Sequence, residues 1–128
     1  MILQPVGVVR SPLRRRRDAP RQGREGAPDA WLEIAPRYGR ALEGIVAGDE
    51  ILVITWLDRA RRDVLRVRPR SHPVNPMSGV FATRSPDRPN PLGLHPVVVR
   101  EVEGTRLRVG PIEALDGTPV VDLKPALR

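Results

Sequence analysis

Asp122 and Lys124 stand two residues apart near the end of the chain, within Asp116-Gly117-Thr118-Pro119-Val120-Val121-Asp122-Leu123-Lys124-Pro125. On an extended strand, residues i and i+2 share one face. A carboxylate and an ammonium there form either a surface ion pair, worth up to about 1 kcal/mol, or a pair that grips a polar substrate and takes its proton. Spacing alone leaves both open. Lys124 is the one lysine among 22 basic residues. In a chain that otherwise uses arginine, a compact ammonium at this position is either a place where a planar fork does not serve or a chance occurrence.

The most unusual stretch is Gly79-Val80-Phe81-Ala82-Thr83-Arg84-Ser85-Pro86-Asp87-Arg88-Pro89-Asn90-Pro91-Leu92-Gly93-Leu94. Its prolines stiffen a polar loop that displays Arg84, Arg88 and Asn90. A rigid polar loop loses little entropy when ligand arrives, which suits it to binding; a structural crossover with solvated arginines has the same composition. A third stretch, Pro20-Arg21-Gln22-Gly23, lies in a long loop after four consecutive arginines, Arg14 to Arg17. Those arginines are either phosphate contacts or a solvated run.

The composition narrows the chemistry. There is no cysteine, so disulfides, zinc fingers and thiol nucleophiles are excluded. His72 and His95 are the only histidines, too few for most metal sites, and no metal is expected. No Gly-rich dinucleotide fingerprint, phosphate-binding P-loop, zinc-protease helix or serine-hydrolase elbow occurs. Catalysis would rest on carboxylate, amide, Lys, Arg or backbone groups. The net charge of +7 points either to a polyanion such as nucleic acid or to a coding bias toward arginine, since 21 of the 22 basic residues are Arg. Aromatics at 3% argue against a surface built wholly on stacked rings. The apolar start is followed by Arg10 without a small-residue cleavage site, and no apolar run reaches the length of a membrane helix. A cytoplasmic protein with no membrane contact is expected.

The elements that must position these groups are short. Fifteen prolines and eleven glycines break long helices and central strands. Strands are expected at 6–10, 31–34, 50–57, 63–69, 80–83, 97–102, 106–109 and 120–123, with one helical turn near Tyr38–Leu42. The run Glu50–Leu57 is the best core strand, Glu103-Gly104-Thr105 turns a hairpin, and Asp116–Pro119 is a turn. About eight short strands without a βαβ alternation predict an all-β fold, a small closed or nearly closed β-barrel with short helical turns and long loops, in one domain over 1–128.

These motifs together, and in this order, resemble the TrmO (TsaA-like) family. That family shows GVxRSP near the start, PRQ in the first loop, GVFATRSPxRPNPxG in the middle and DGTPxxDxKPY near the end. This chain has Gly7-Val8-Val9-Arg10-Ser11-Pro12, Pro20-Arg21-Gln22, the middle motif almost letter for letter, and Asp116 to Pro125 at the same spacing.

The resemblance implies a non-Rossmann methyltransferase that uses S-adenosyl-L-methionine. Its implied acceptor is N6 of threonylcarbamoyladenosine, 3′ of the anticodon in tRNA. A homodimer with the cofactor near the subunit interface is also implied. Carried over by motif, the cofactor contacts are Pro20, Arg21, Gln22, Asp58, Arg59, Arg84, Leu115, Asp116, Gly117 and Thr118. The candidate chemistry residues are Arg88, Asn90, Asp122 and Lys124. Asp122 suits the base that takes the N6 proton, and the others suit the carbamoyl oxygen or threonyl carboxylate. The chain departs from the pattern at Asp58, where many relatives carry His, and at His95 and Ala126, where Ser and Tyr are usual. The extra C-terminal domain of longer relatives is expected to be absent. A different RNA or small-molecule acceptor, and a non-catalytic RNA-binding barrel, are the competing readings.

Overall fold

Ile51, Val53 and Thr55 point into the protein while Leu52, Ile54 and Trp56 point away from it, and this alternation sets the wall of the molecule. A computed structural model describes residues 1–69 and 74–127; His72 falls outside them. The strands are β1 (Gly7–Arg10), β2 (Ala30–Ile34), β3 (Glu50–Trp56), β4 (Arg66–Val67), β5 (Ser78–Gly79), β6 (Leu92–Glu103), β7 (Arg106–Gly110) and β8 (Pro119–Pro125). Six of these close into a barrel in the order β1-β2-β7-β6-β3-β8, with β8 returning to β1. Every neighbouring pair is antiparallel. β4 and β5 make a separate two-stranded ribbon. The all-β barrel expected from the sequence is the fold, and closure leaves its six strands without a free edge.

The interior is filled by alternate residues from each strand: Val9, Leu32, Val53, Val99, Leu107, Val109 and Val120, with Ile112 from the segment after β7. Full burial of side chains of this size stabilises by roughly 1.5–3 kcal/mol each. Their branched shape suits a pleated, half-buried wall. At the β6–β7 hairpin, Gly104 takes φ +60°, where a side chain would be strained.

A bulge decides which way the last strand faces. β8 pairs Val120 with Thr55 and Asp122 with Ile54, so Val121 is an extra residue at that step. Val120 is buried, and plain alternation would turn Asp122 inward with it. The extra residue shifts the phase. Leu123 packs against the core, while Asp122 and Lys124 are carried outward beside Ile54 and Leu52.

Two expected strands are corrected. Over 63–69 only Arg66–Val67 pairs, with Ser78–Gly79. Leu65 is 67% exposed, so the alternation there has no buried face to hold a longer register. Val80–Ala82 is a 3-10 turn, not a strand. Arg88 closes it by donating to the carbonyls of Val80 and Thr83, and Thr83 Oγ1 donates to the Val80 carbonyl at 3.0 Å. Phe81 is left on the surface. In the other direction, β6 begins at Leu92 rather than 97, a start that Gly93 and the flanking prolines disguise in the sequence.

Candidate functional site

The turn Leu115–Thr118 follows from its residues. Gly117 takes φ +84°, where a Cβ would be strained. Thr118 folds its hydroxyl back to the Leu115 carbonyl at 2.7 Å. The turn is then locked to the end of β1 and the start of the long loop. The Gly117 amide donates to Val9, the Asp116 amide to Leu13, and the Ser11 amide to Asp116 Oδ1 at 3.0 Å.

Arg59, just past the end of β3, joins this cluster. Its guanidinium donates to the carbonyls of Arg14 and Asp116. One side chain thereby ties the end of β3, the arginine-rich loop and the Leu115–Thr118 turn at one rim of the barrel. Asp58 beside it is exposed.

The proline-stiffened loop is attached to the same rim through Asp87. Its carboxylate accepts the Arg61 amide at 2.9 Å and Arg16 at 3.2 Å. The Arg88 amide returns a bond to the Arg61 carbonyl. Burial pushes the Asp87 carboxyl up, but the Arg61 amide and the charges of Arg16 and Arg61 outweigh it and hold the group below the ordinary aspartate range. Arg62 extends the contact, donating to the Pro89 carbonyl at 2.7 Å and to Asn90 Oδ1 at 3.1 Å. Its guanidinium also lies 5.1 Å from the Trp56 ring centroid.

Pro20, Arg21 and Gln22 lead into a 3-10 turn at Gly23–Glu25, which Gln22 precedes in extended conformation. Gly23 sits so close to the Pro111 carbonyl that a Cβ would stand 2.6 Å from it, so glycine is needed for this approach. Arg84 is exposed on the stiffened loop.

Asp122 and Lys124 do share a face, with 3.6 Å between Asp122 Oδ2 and Lys124 Nζ and both more than half exposed. They lie on the outer wall, not at the rim. Asp122 is four residues beyond Thr118, roughly 13 Å along an extended strand. Their surroundings are apolar: Leu52, Ile54 and Trp56 of β3 and Leu92 and Leu94 of β6 face the same way, the last two 42% and 47% exposed. Asn90 stands at the edge of this face, next to the Trp56–Leu92 row. Arg88, by contrast, spends its guanidinium on its own loop.

Within one chain, then, Asp58, Arg59 and the Leu115–Thr118 turn converge with the arginine-rich loop. The stiffened loop is tethered to them, and Asp122 with Lys124 occupies the adjoining wall.

One polar cluster went unread in the sequence. Thr55 Oγ1 and His95 Nε2 are 2.7 Å apart, and His95 Nδ1 is 2.6 Å from Glu113 Oε1, inside the barrel. The available signal was a histidine at an inward position of β6 opposite Val53 and next to Thr55 on β3. Among the described residues, no group of three or more potential ligands is placed to hold a metal, and no helix is long and apolar enough to cross a membrane.

The comparisons with known proteins agree with this architecture. The tRNA-methyltransferase O N-terminal domain model matches residues 8–128. An S-adenosyl-L-methionine-binding protein of Archaeoglobus fulgidus is 48% identical over 124 residues, covering 97% of this chain and 88% of that protein. A probable S-adenosyl-L-methionine-binding protein of Methanothermobacter thermautotrophicus is 48% identical over 123 residues, covering 96% and 88%. The crystal structure of TrmO from Pseudomonas aeruginosa superposes with a TM-score of 0.79 at 31% identity, covering 99% of this chain and 56% of that one. This chain spans little more than half the length of that solved TrmO protein. With the motifs, the closed barrel and a match over nearly its whole length, the chain belongs to the tRNA-methyltransferase O N-terminal domain family.

Proposed function

We propose that this protein is an S-adenosyl-L-methionine-dependent methyltransferase that acts, as a homodimer in the cytoplasm, on N6 of threonylcarbamoyladenosine beside the tRNA anticodon. The observation that carries the reading is the family match over residues 8–128. The names of the relatives support the cofactor.

The donor set at the rim suits that cofactor, which carries an ammonium, a carboxylate and an adenosine. Exposed Asp58 offers an acceptor for the ammonium or ribose, and Arg59 and Arg21 offer donors for the carboxylate. Pro20, Gln22 and the Leu115–Thr118 turn would close around the rest, with Arg84 contributed across the dimer. Bound there, the cofactor supplies a methyl group on a sulfonium.

The chain's own task is positioning, which is worth several kcal/mol in a displacement of this kind. The acceptor nitrogen is carbamoylated and a poor nucleophile, so Asp122 takes its proton. Lys124 sits 3.6 Å from that carboxylate and would aim it. The Asn90 amide nitrogen is the donor left for the carbamoyl oxygen, its Oδ1 being engaged by Arg62. The apolar outer face of β3 and β6 supports a second subunit packing there and drying the Asp122–Lys124 wall. Arg88 acts through loop shape, by the bonds it makes to Val80 and Thr83.

The test is transfer of labelled methyl from S-adenosyl-L-methionine to tRNA bearing the threonylcarbamoyl group, followed by nucleoside mass analysis. Methylation at N6 of that nucleoside, absent with unmodified tRNA, is expected. Methylation of another acceptor would replace the substrate assignment and keep the cofactor. Absence of cofactor binding by calorimetry would leave a non-catalytic barrel.

A further inference from the structure

A cavity of about 460 Å³ on the barrel lies away from the Asp122 wall and shares only Asp116 with the residues assigned above. It opens on the outside of β1, β2 and β7, and its walls include Arg10, Arg14, Asp29, Trp31, Arg108 and Asp116. Strand register builds it. Arg10 pairs with Trp31 across β1–β2, and Trp31 pairs with Arg108 across β2–β7, so the indole is flanked by an arginine on either side.

The next outward row, Glu33 and Arg106, lies on the other side of the ring. Arg106 covers that side, its guanidinium carbon 4.2 Å from the ring centroid. Its Nε is a buried polar atom without a hydrogen-bond partner among the described residues, so the ring serves as its neighbour. The cavity lies toward Asp29 and Asp116, away from Arg106.

The arginines are held in place by carboxylates. Arg10 meets Glu33 at 2.9 Å, and Arg108 meets Asp29 at 3.0 Å and Glu101 at 3.3 Å. Arg14 is 76% exposed and only 3.8 Å from Asp116, so it can turn to a ligand at little cost. A braced indole, an exposed arginine and two carboxylates in a space of this size match one nucleotide. The base stacks on Trp31, its exocyclic amino group meets Asp29 or Asp116, and the phosphate meets Arg14 and Arg10.

We infer that this cavity is a subsite for one nucleotide of the RNA acceptor, stacked on Trp31. The inference rests on the proposed function and adds a second point of grip. Asp116 is shared between the two places, its side chain lining the cavity and its carbonyl held by Arg59. A strand whose target base is at the methyl donor would reach Trp31 with a neighbouring nucleotide. The low aromatic content fits a single stacking post, not an extended platform.

The test titrates the full chain with an unmodified anticodon stem-loop RNA, reading tryptophan fluorescence and binding, with cofactor affinity measured in parallel. Quenching on RNA addition is expected, and Trp31→Leu should lose most of it and weaken RNA binding roughly tenfold. Trp31→Tyr should restore RNA affinity to within about twofold, since the ring still stacks. Cofactor affinity should stay unchanged in both variants. Unchanged RNA affinity in Trp31→Leu would overturn the subsite, as would wild-type protein that binds no RNA. Equal loss of cofactor affinity would assign the cavity to the cofactor instead. Polyglutamate binding as tightly as RNA, and as dependent on Trp31, would make it a general anion site and also overturn it. The two readings fail separately. A chain that binds RNA through Trp31 yet methylates no tRNA loses its proposed function and keeps this subsite. One that methylates with an unaltered tRNA KM in Trp31→Leu does the reverse.

Discussion

His95 Nδ1 lies 2.6 Å from Glu113 Oε1, in a barrel whose other inward residues are almost all apolar. The Glu113 carboxylate accepts from Nδ1, and Nε2 lies 2.7 Å from the Thr55 hydroxyl. His95 is 3% exposed and Thr55 fully buried, so both outer members depend on the ring between them. His95→Ala should destabilise the fold by about 2–4 kcal/mol, combining a cavity with two stranded polar groups. Urea unfolding checks this, and a loss below about 1 kcal/mol would show that the network is dispensable.

Gly93 is the space this network needs. A Cβ there would stand 2.5 Å from Thr55 Oγ1 and 2.7 Å from His95 Nε2. Gly93→Ala should therefore cost about 1–3 kcal/mol by forcing the pair apart. Combined with Thr55→Ala, the cost should be smaller than the sum of the two single changes, because the nearest clashing atom is gone.

Arg59 holds three segments at one rim, so its loss should be felt by ligand more than by fold. Arg59→Ala is expected to weaken S-adenosyl-L-methionine binding at least tenfold while lowering stability by less than about 1 kcal/mol, as for an exposed polar contact. Arg59→Lys should not restore binding, since a single ammonium cannot reach both carbonyls in the same geometry. Calorimetry and thermal melts on the same samples separate the two effects.

Asp122→Asn keeps shape and removes the proton acceptor. Methyl transfer should fall by at least a hundredfold, with cofactor affinity within about twofold of wild type. Undiminished turnover would remove Asp122 from the chemistry and leave it as the ion-pair partner of Lys124.

Asp87 sets an acid limit on loop attachment. Its carboxyl is held below the ordinary aspartate value when folded, so its tether contributes fully above that value. The contribution declines as pH falls from the ordinary value toward the lowered one, and is gone below it. Asp87→Asn should flatten stability over that acidic interval and leave it nearly constant above. Denaturant midpoints across the interval test the sign.

Much of the wall is legible in the residues. The run at 50–57, the hairpin around Gly104 and the turn before Pro119 carry patterns with a period of two bounded by turn formers. Three features do not show. The bulge at Val121 is set by the pairing partner on β3, which no local pattern encodes. The 3-10 turn at Val80–Ala82 is closed by Arg88, six or more residues away. The start of β6 is hidden because Gly93 is required by the Thr55–His95 contact rather than by a turn. The motifs located the rim cluster, but the engagement of the Arg88 guanidinium by Val80 and Thr83 and the Trp31 cavity depend on contacts between distant strands.

The cylinder is not equally strong around its circumference. β1 and β8 meet through two register pairs, Gly7 with Val120 and Val8 with Pro119, the fewest of any neighbouring pair in the barrel, and beyond them the seam continues only as backbone bonds between Val6 and Val120, Val9 and Thr118, and Gly117 and Val9. That seam runs directly into the Leu115–Thr118 turn. A molecule gripped by the turn would clasp the staves where they are least fastened, so occupancy and wall integrity share one opening equilibrium. The empty protein should breathe along this line first, and the loaded one should be the tighter vessel.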